Sequence, residues 1–258
     1  MSNKDDKREW WKRMLETMNR YVVMDKEHYN KCFIQGERKG YDIGELLESY
    51  ASATKNIGIF EYLLNNNIAL FKEKQIEALK ILLQAFSEEK IAATCINMRR
   101  FENLFLGLSA GEFEVTKQYA EKLHTPKGDL SPPTKFPNTF GYTLKYFVLE
   151  ELEKAKSWLA DFKDACKNPG FVNFKGYPIV FEAVMEKDVE KANAAFIEVN
   201  KGYIKECKGR GDRYFQRGEP EDINTWGIGM ANLCKYYGLD VQIENPLIPK
   251  ELLIEVRK

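Results

Sequence analysis

The sequence predicts an all-α protein, a bundle of antiparallel helical hairpins with about nine or ten helices and little or no β structure. Apolar residues recur every three or four positions along almost the whole chain, which is the spacing of one face of an α-helix. Four of the nine prolines lie together between His124 and Asn138, and helices are expected on either side of them. With 258 residues and 44% hydrophobic content, the chain can bury a core without a disulfide or a metal ion to stabilise it.

Four apolar stripes lie in the first half of the chain. The longest runs from Ile91 to Leu108, and Ser87 before it has a hydroxyl that can accept hydrogen bonds from the first turn. Ser109 and Glu112 then have the spacing of a capping box, which predicts a turn and a further helix over 113–123. The other three stripes are Trp11, Met14, Met18 and either Tyr21 or Val22; Ile43, Leu47, Tyr50, Thr54 and Ile57; and Ile76, Leu79, Leu83 and Phe86.

The cluster of prolines predicts the main internal boundary. Proline lacks a backbone donor and opposes the helical conformation, both at its own position and at the residue before it. We therefore expect an N-terminal helical half over residues 1–125, a Pro-rich linker over 126–138 and a C-terminal helical half over 139–258. The two halves are expected to pack together as one globular unit.

The second half is expected to open with a single helix that carries two apolar stripes. One stripe runs from Val148 to Cys166, and the other contains Tyr142, Tyr146 and Leu149. A helix with two such stripes is expected to be covered on two faces.

Two further helical features follow. The apolar spacing over 177–203 predicts a helical hairpin with a tight turn at 187–188. A final stripe runs from Ile223 to Tyr237, and Gly238 is placed to end that helix as a C-cap. The tail is expected to lie across the bundle and to finish in a short helix over 252–256.

Composition restricts the classes of function. Lysine plus arginine and aspartate plus glutamate both number 39, so the chain lacks the net charge that would attract nucleic acid or anionic lipid. The N-terminal residues lack the apolar core of a signal peptide, and no apolar run is long enough to span a bilayer. An odd number of scattered cysteines without a CxxC pair is typical of reduced thiols. We therefore expect a cytoplasmic protein with no cofactor, nucleic-acid partner or membrane contact. The cysteines are Cys32, Cys95, Cys166, Cys207 and Cys234.

Two carboxylate-x-x-His pairs are the strongest indication of an enzyme. Asp25 precedes His28 by three residues and Glu121 precedes His124 by three, a spacing that places both members of a pair on one helical face. Such pairs, with further carboxylates, are the ligands of di-metal four-helix bundles. However, Asp25 replaces the usual glutamate, His124 stands at a helix end, and no paired inward glutamate is evident on other helices. We therefore expect structural roles for both histidines and neither a metal site nor catalysis.

A glycine- and charge-rich loop over 208–220, together with the acidic residues after it, is the candidate contact surface. Arginine and aromatic residues are enriched at the energetic centres of protein interfaces, so an exposed Tyr214 and Phe215 among charges are suited to contact a partner. A mobile surface loop is the alternative interpretation. The predicted partner-binding residues are Arg210, Arg213, Tyr214, Phe215, Arg217, Glu219, Glu221 and Asp222.

The C-terminal third carries a resemblance to a known family. It contains a hairpin around 181–188 and a variable charged loop. The segment NTWGIGMA at 224–231 then leads into YGLDV at 237–241, and NPLIPKELL closes the region at 245–253. In these features the chain resembles bacterial polymorphic-toxin immunity proteins, in particular the immunity protein 49 family.

The resemblance implies a protein that binds a cognate antibacterial toxin, the effector of a type VI or contact-dependent system. Such a protein would block the toxin by steric or conformational means, without catalysis of its own. An intracellular helical adaptor that binds peptides is the first alternative function, and a di-metal carboxylate enzyme is the second. The sequence leaves the possibility of a homodimer open.

Overall fold

The computed structural model describes residues 2–31, 35, 43–87, 98–123, 136–208, 215 and 220–257. These residues form ten α-helices and three 3-10 helices and contain no strand, which confirms the predicted all-α fold. The chain divides into two compact units, Met1–Cys95 and Ile96–Lys258. Among the described helices, none combines the length and the apolar character needed to cross a bilayer.

Three helices belong to the first unit and seven to the second. The first three are α1 (Ser2–Tyr29), α2 (Ile43–Asn65) and α3 (Ile68–Ser87). The others are α4 (Leu104–Ala110), α5 (Phe113–Lys122), α6 (Phe136–Val148), α7 (Leu152–Ala165), α8 (Gly176–Glu186), α9 (Val189–Lys208) and α10 (Thr225–Tyr236). The 3-10 helices are η1 (Met98–Asn103), η2 (Val172–Phe174) and η3 (Lys250–Leu252).

In the first unit, α1 runs antiparallel to α2. The guanidinium of Arg8 donates to the carbonyl of Leu64 at 3.2 Å, and the carboxylate of Asp25 accepts from the Ser49 hydroxyl at 2.9 Å. The stripe predicted on α1 faces α2, because alternate three- and four-residue steps keep these side chains on one side of the helix. This seam contains Met18, Ala53, Ile57 and Phe60, with Trp11, Met14, Leu15, Val22 and Leu63 packed against them.

The second unit is built around a core of aromatic side chains. The ring of Phe140 lies at its centre, with its centroid 4.5 Å from Phe162, 4.9 Å from Phe101 and 5.7 Å from Trp226. Trp226 in turn stacks on Phe105 at 4.7 Å. These rings come from α6, α7, η1, α10 and α4, so one cluster joins five elements. Aromatic pairs at such distances contribute about 0.5–1.5 kcal/mol each beyond the burial of their area.

Four helices of the second unit end in the same turn. Gly111, Glu150, Lys187 and Gly238 each adopt a positive φ, between 57° and 83°. At each of them, two successive amides donate back to carbonyls of the preceding helical turn, which is the Schellman pattern. The predicted C-cap at Gly238 and the predicted turn at 187–188 are confirmed.

The prediction of a single helix from Tyr142 to Cys166 is wrong. The structure has two helices, α6 and α7, which are separated by the turn at Glu150, whose φ is 60°. The side chain of Glu150 makes tertiary contacts that favour this unusual backbone, since its carboxylate accepts from Lys117 Nζ at 2.8 Å and from the hydroxyl of Tyr236. The two predicted stripes therefore belong to two helices and not to two faces of one.

The expectation of one α-helix under the stripe from Ile91 to Leu108 is also wrong. Residues 91–97 lie outside the described residues, and the described remainder is a 3-10 helix followed by α4. Ser87 is the last residue of α3, and residues 88–97 after it lie outside the described part of the chain. Ser109 lies inside α4, where its hydroxyl donates to a carbonyl three residues earlier, so the turn at Gly111 replaces the expected capping box.

The sequence-based linker at 126–138 falls inside the second unit. Its residues 126–135 lie outside the described residues, and 136–138 open α6. The helices α4 and α5 belong with the later helices because Phe105 of α4 stacks on Trp226 and because Phe113 of α5 stacks on Tyr236. That the two predicted halves pack as one globular unit stays a prediction.

The C-terminal tail lies across α10, as expected. The side chain of Asn232 donates to Leu108 O at 2.9 Å and accepts from the amide of Ile254 at 2.9 Å. The amide of Arg257 then donates to Lys235 O at 3.0 Å. The predicted terminal helix is limited to one 3-10 turn, and the residues after it are not helical.

Asn232→Leu is expected to lower the free energy of unfolding by about 2–4 kcal/mol, because the backbone groups of Leu108 and Ile254 would lose their partner. Equilibrium urea unfolding of the full chain measures this change. The matched control is Asn19→Leu at an exposed position of α1, which should change stability by less than about 0.5 kcal/mol. A loss for Asn232→Leu as small as that of the control would contradict the assigned role.

Candidate partner-binding surface

The outer side of α9 carries the candidate binding surface. The side chains of Ile197 and Ile204 are 57% and 40% exposed, and their separation of seven residues places them two turns apart on one face. The inner face of α9 is buried through Phe196, Val199 and Tyr203. We define the α9 surface as the exposed residues Ile197, Lys201, Ile204, Lys205 and Lys208.

Close backbone packing fixes the orientation of α9. A Cβ atom at Gly202 would lie 1.8 Å from the carbonyl oxygen of Asn173, so only glycine allows this approach of α9 to η2. The amide of Asn173 donates to the buried carboxylate of Glu206 at 2.6 Å. Asn224, which caps α10, donates to Asn200 of α9 at 3.2 Å. The exposed isoleucines are therefore presented on a helix whose other side is held by specific contacts.

Positive charge predominates around the two isoleucines. The carboxylate of Glu198 accepts from Lys175 at 2.9 Å and from Lys201 at 3.0 Å. These hydrogen bonds, first that of Lys175 and then that of Lys201, lower the pKa of Glu198 to about 2. Lys205 is exposed and has no carboxylate partner among the described residues. The rim of the α9 surface therefore complements an acidic protein surface.

Phe215 is the one predicted aromatic contact residue that the structure describes, and it is buried. Its side chain is 4% exposed, and its ring centroid lies 4.8 Å from Trp226, 4.9 Å from Tyr203 and 5.9 Å from Phe174. The expectation that Phe215 is exposed is wrong, because the aromatic core encloses the ring. Its charged sequence neighbours gave no indication of this burial.

The other predicted binding residues are only partly described. Glu221 is exposed and its carboxylate lies 3.7 Å from Lys208 Nζ, next to the α9 surface, whereas Asp222 is half-buried. Whether this segment binds a toxin stays a prediction. The residues that lie outside the described part are Arg210, Arg213, Tyr214, Arg217 and Glu219.

Ile197 and Ile204 were not among the binding residues predicted from the sequence. Each follows a core aromatic residue, Phe196 or Tyr203, by one position, which places it about 100° away from the buried stripe. This offset in the sequence indicates a second apolar row on α9, because the two isoleucines are seven positions apart and lie outside the core stripe.

A groove of about 630 Å³ lies between α7 and α8 of this unit. Its apolar lining includes Leu159 and Met185. On its rim, Glu182 pairs with Lys163 and, at 3.3 Å, with Lys191. The volume suits a small ligand, but the carboxylate of Glu182 is already neutralised by two lysines.

The proposed metal ligands are divided between the two units of the chain. Asp25 and His28 belong to α1 of the first unit, and the Asp25 carboxylate accepts from Ser49. Glu121 is exposed on α5 of the second unit, and His124 lies outside the described residues. No group of three or more His, Cys, Asp or Glu side chains among those described is placed to hold a metal ion.

A connected group of titratable side chains lies where α5, α10 and the turn at Glu150 meet. Lys117 Nζ donates to Glu150 at 2.8 Å and to the Tyr236 hydroxyl at 3.0 Å, and these hydrogen bonds raise the pKa of Lys117 to about 12. The same contacts lower the pKa of Glu150. Tyr236 also stacks on Phe113, with 3.9 Å between centroids. Lys117 and Glu150 therefore form an ion pair at neutral pH that joins elements of the fold.

Comparison of the chain with models of known protein families, with curated proteins and with solved structures found no match in any of the three. The resemblance over 181–253 is therefore a hypothesis that depends on those residues alone. Several of them lie in the core: Trp226 and Leu252 are buried, and a Cβ atom at Gly227 would lie 2.7 Å from Ile248.

Phe215→Ala is expected to lower the free energy of unfolding by about 3–5 kcal/mol, as is usual when a buried phenylalanine is truncated. Urea unfolding checks this value. Glu221→Ala, an exposed change in the same segment, should cost less than about 0.5 kcal/mol. Equal stabilities of the two variants would show that Phe215 is not part of the core.

Burial lowers the pKa of Lys145 to about 8, although its Nζ donates to Leu123 O at 2.7 Å. Above this pKa the native amine is neutral, whereas the unfolded amine stays protonated until about pH 10.5, its ordinary pKa. The stability of the natural chain relative to Lys145→Met should therefore rise by about 1.4 kcal/mol per pH unit between these two pKa values. Urea unfolding of both proteins across this range measures the difference, and a difference independent of pH would contradict the burial of a titrating amine.

Proposed function

We propose that this chain binds a cognate bacterial protein toxin and neutralises it by covering its active site or holding it in an inactive shape. The observation that carries the proposal is the α9 surface, where two isoleucines are exposed on a helix whose opposite face is fixed in an aromatic core. The resemblance of the C-terminal third to toxin immunity proteins gives the class of partner.

The physical basis of such inhibition is steric and needs no chemistry from the inhibitor. A stable interface buries about 800 Å² on each partner, and a few apolar anchors supply most of its affinity. Ile197 and Ile204 are candidates for these anchors. Because α9 is already ordered by its inner face, its backbone loses little conformational entropy on binding.

Charge supplies the means of discriminating among toxins. The whole chain is neutral, so any complementarity has to be local. Lys201, Lys205 and Lys208 flank the isoleucines, and Glu221 lies beside Lys208 at the edge. An acidic patch next to the toxin's active site would fit this arrangement, and a toxin with a basic patch there would be repelled.

Ile197→Glu combined with Ile204→Glu is expected to weaken the complex with the toxin encoded beside this gene by at least about a hundredfold. The reason is that two anchors would be replaced by carboxylates facing an acidic surface. Isothermal titration measures the affinity, and survival of cells that co-express the toxin measures protection. Leu152→Glu with Ala160→Glu, at exposed positions of α7, is the matched control and should retain both.

Three outcomes would contradict the proposal or its site. If the natural chain neither forms a complex nor protects cells, toxin neutralisation is wrong. If the α7 variant loses binding and the α9 variant retains it, the interface lies at the groove between α7 and α8. If the chain binds short peptides without protecting against any toxin, a helical adaptor is the better assignment.

A further inference from the structure

Lys205 differs from the other lysines of the α9 surface in having no partner among the described residues. Lys201 donates to Glu198 at 3.0 Å, and Lys208 Nζ lies 3.7 Å from the Glu221 carboxylate. The side chain of Lys205 is exposed and forms no hydrogen bond or ion pair with any residue that the structure describes. Its charge is therefore available to a partner.

The carboxylates nearest to Lys205 along α9 are already engaged. Glu206, the next residue, is 2% exposed and accepts from the side-chain amide of Asn173 at 2.6 Å. Glu198, two helical turns earlier, accepts from two lysines, at 2.9 Å and at 3.0 Å. Because two lysines share this one carboxylate, the charge on this side of α9 stays positive.

Exposed apolar side chains lie on both sides of Lys205. Ile204 is 40% exposed and is offset from Lys205 by about 100° around α9. In the opposite direction, at about 60°, lies Gly202, which packs against the backbone of Asn173 in η2. Val172, the residue before Asn173, is 42% exposed. A partner surface that covers both Ile204 and Val172 would therefore also cover Lys205.

We propose that Lys205 determines which partners the α9 surface accepts, because it requires a carboxylate opposite it. An ammonium that apolar groups cover loses its hydration, and this loss is costly unless an anion replaces the water. A partner that presents an aspartate or a glutamate at this point restores the lost interaction, whereas a neutral or basic partner does not. The inference rests on the proposed function, since it takes the α9 surface as the one that the partner covers.

Lys201 and Lys208 are expected to contribute less to this selection. Each of them brings a carboxylate of the same chain into the interface, Glu198 for the first and Glu221 for the second. A partner that covers these lysines therefore does not leave an unpaired charge behind. Lys201 is on the same helix, one turn before Lys205, and so provides a matched control for the test.

The test uses peptides as probes, so that it needs no toxin. A displayed library of random peptides is selected on the full chain. Peptides that also bind the variant with Ile197→Glu and Ile204→Glu are discarded, which leaves those that depend on the α9 surface. We expect the remaining peptides to contain more Asp and Glu than Lys and Arg. One of them is then synthesised in two forms, with its most important acidic residue either present or replaced by the matching amide.

Fluorescence anisotropy should show the natural chain binding the acidic form at least about tenfold more tightly than the amide form. Lys205→Met removes the ammonium but keeps an apolar side chain of similar length, so the two forms should bind this variant within about threefold of each other. The amide form should bind Lys205→Met more tightly than the natural chain, because the cost of covering the ammonium is absent. Lys201→Met, the control, should keep the preference of the natural chain.

Tighter binding of the amide form to Lys205→Met cannot arise from misfolding, so this result distinguishes selection by charge from a structural role. A lack of acidic residues in the peptides that depend on the α9 surface, a preference unchanged by Lys205→Met, or equal effects of Lys205→Met and Lys201→Met would overturn the inference. If no peptide depends on Ile197 and Ile204, the α9 surface is not a binding site and the inference is wrong with it. If the peptides bind as expected but no toxin is neutralised, the role of Lys205 stands and the partner is not a toxin.

Discussion

The packing of Phe140 against its aromatic neighbours is the constraint on which the second unit depends. Rings from η1, α4, α6, α7 and α10 meet around this side chain, with Phe162, Phe101 and Trp226 within 5.7 Å. Each ring has to enter at a definite angle, because aromatic pairs prefer tilted, edge-on or offset arrangements. The positions of the helices therefore follow from the shapes of the rings that they contribute.

The same cluster connects the fold to the α9 surface. Trp226 packs on Phe215, and Phe215 packs on Tyr203 of α9. The Tyr203 hydroxyl lies within 2.9 Å of the carbonyl oxygens of Pro220 and Ile223, so it also fixes the segment that leads into α10. Buried polar groups such as these are costly unless they are paired. Together the aromatic contacts and the hydrogen bonds determine which side of α9 faces the solvent.

Sequence periodicity predicted the elements whose boundaries depend on local chemistry. The stripe on α1, the turn at 187–188 and the C-cap at Gly238 all follow from patterns within a few residues. The turn at Glu150 could not be predicted in this way, because residues 149–151 contain neither glycine nor proline. The left-handed backbone of Glu150 is accompanied by contacts of its side chain with Lys117 and Tyr236, which are distant in sequence. The burial of Phe215 was also not predicted, because the rings that enclose its side chain are not its neighbours in the sequence.

The candidate sites were harder to predict than the fold. A charged loop with two aromatic residues has the composition of an interface, but composition does not show which side chains the core will enclose. The exposed isoleucines of α9 each stand one position after an aromatic residue of the predicted stripe, an offset that the sequence contains and that the composition of the loop obscured. Their exposure on an ordered helix supports binding as the function that we propose.

Hydrogen–deuterium exchange of the full chain, with and without the proposed toxin partner, tests that account most directly. We expect exchange to slow in the second half of α9, over 197–208, and next to Glu221 when the toxin is bound, because an interface excludes water from both. Unchanged exchange over 197–208, with protection confined to other helices, would contradict the assignment of the α9 surface as the toxin-binding site.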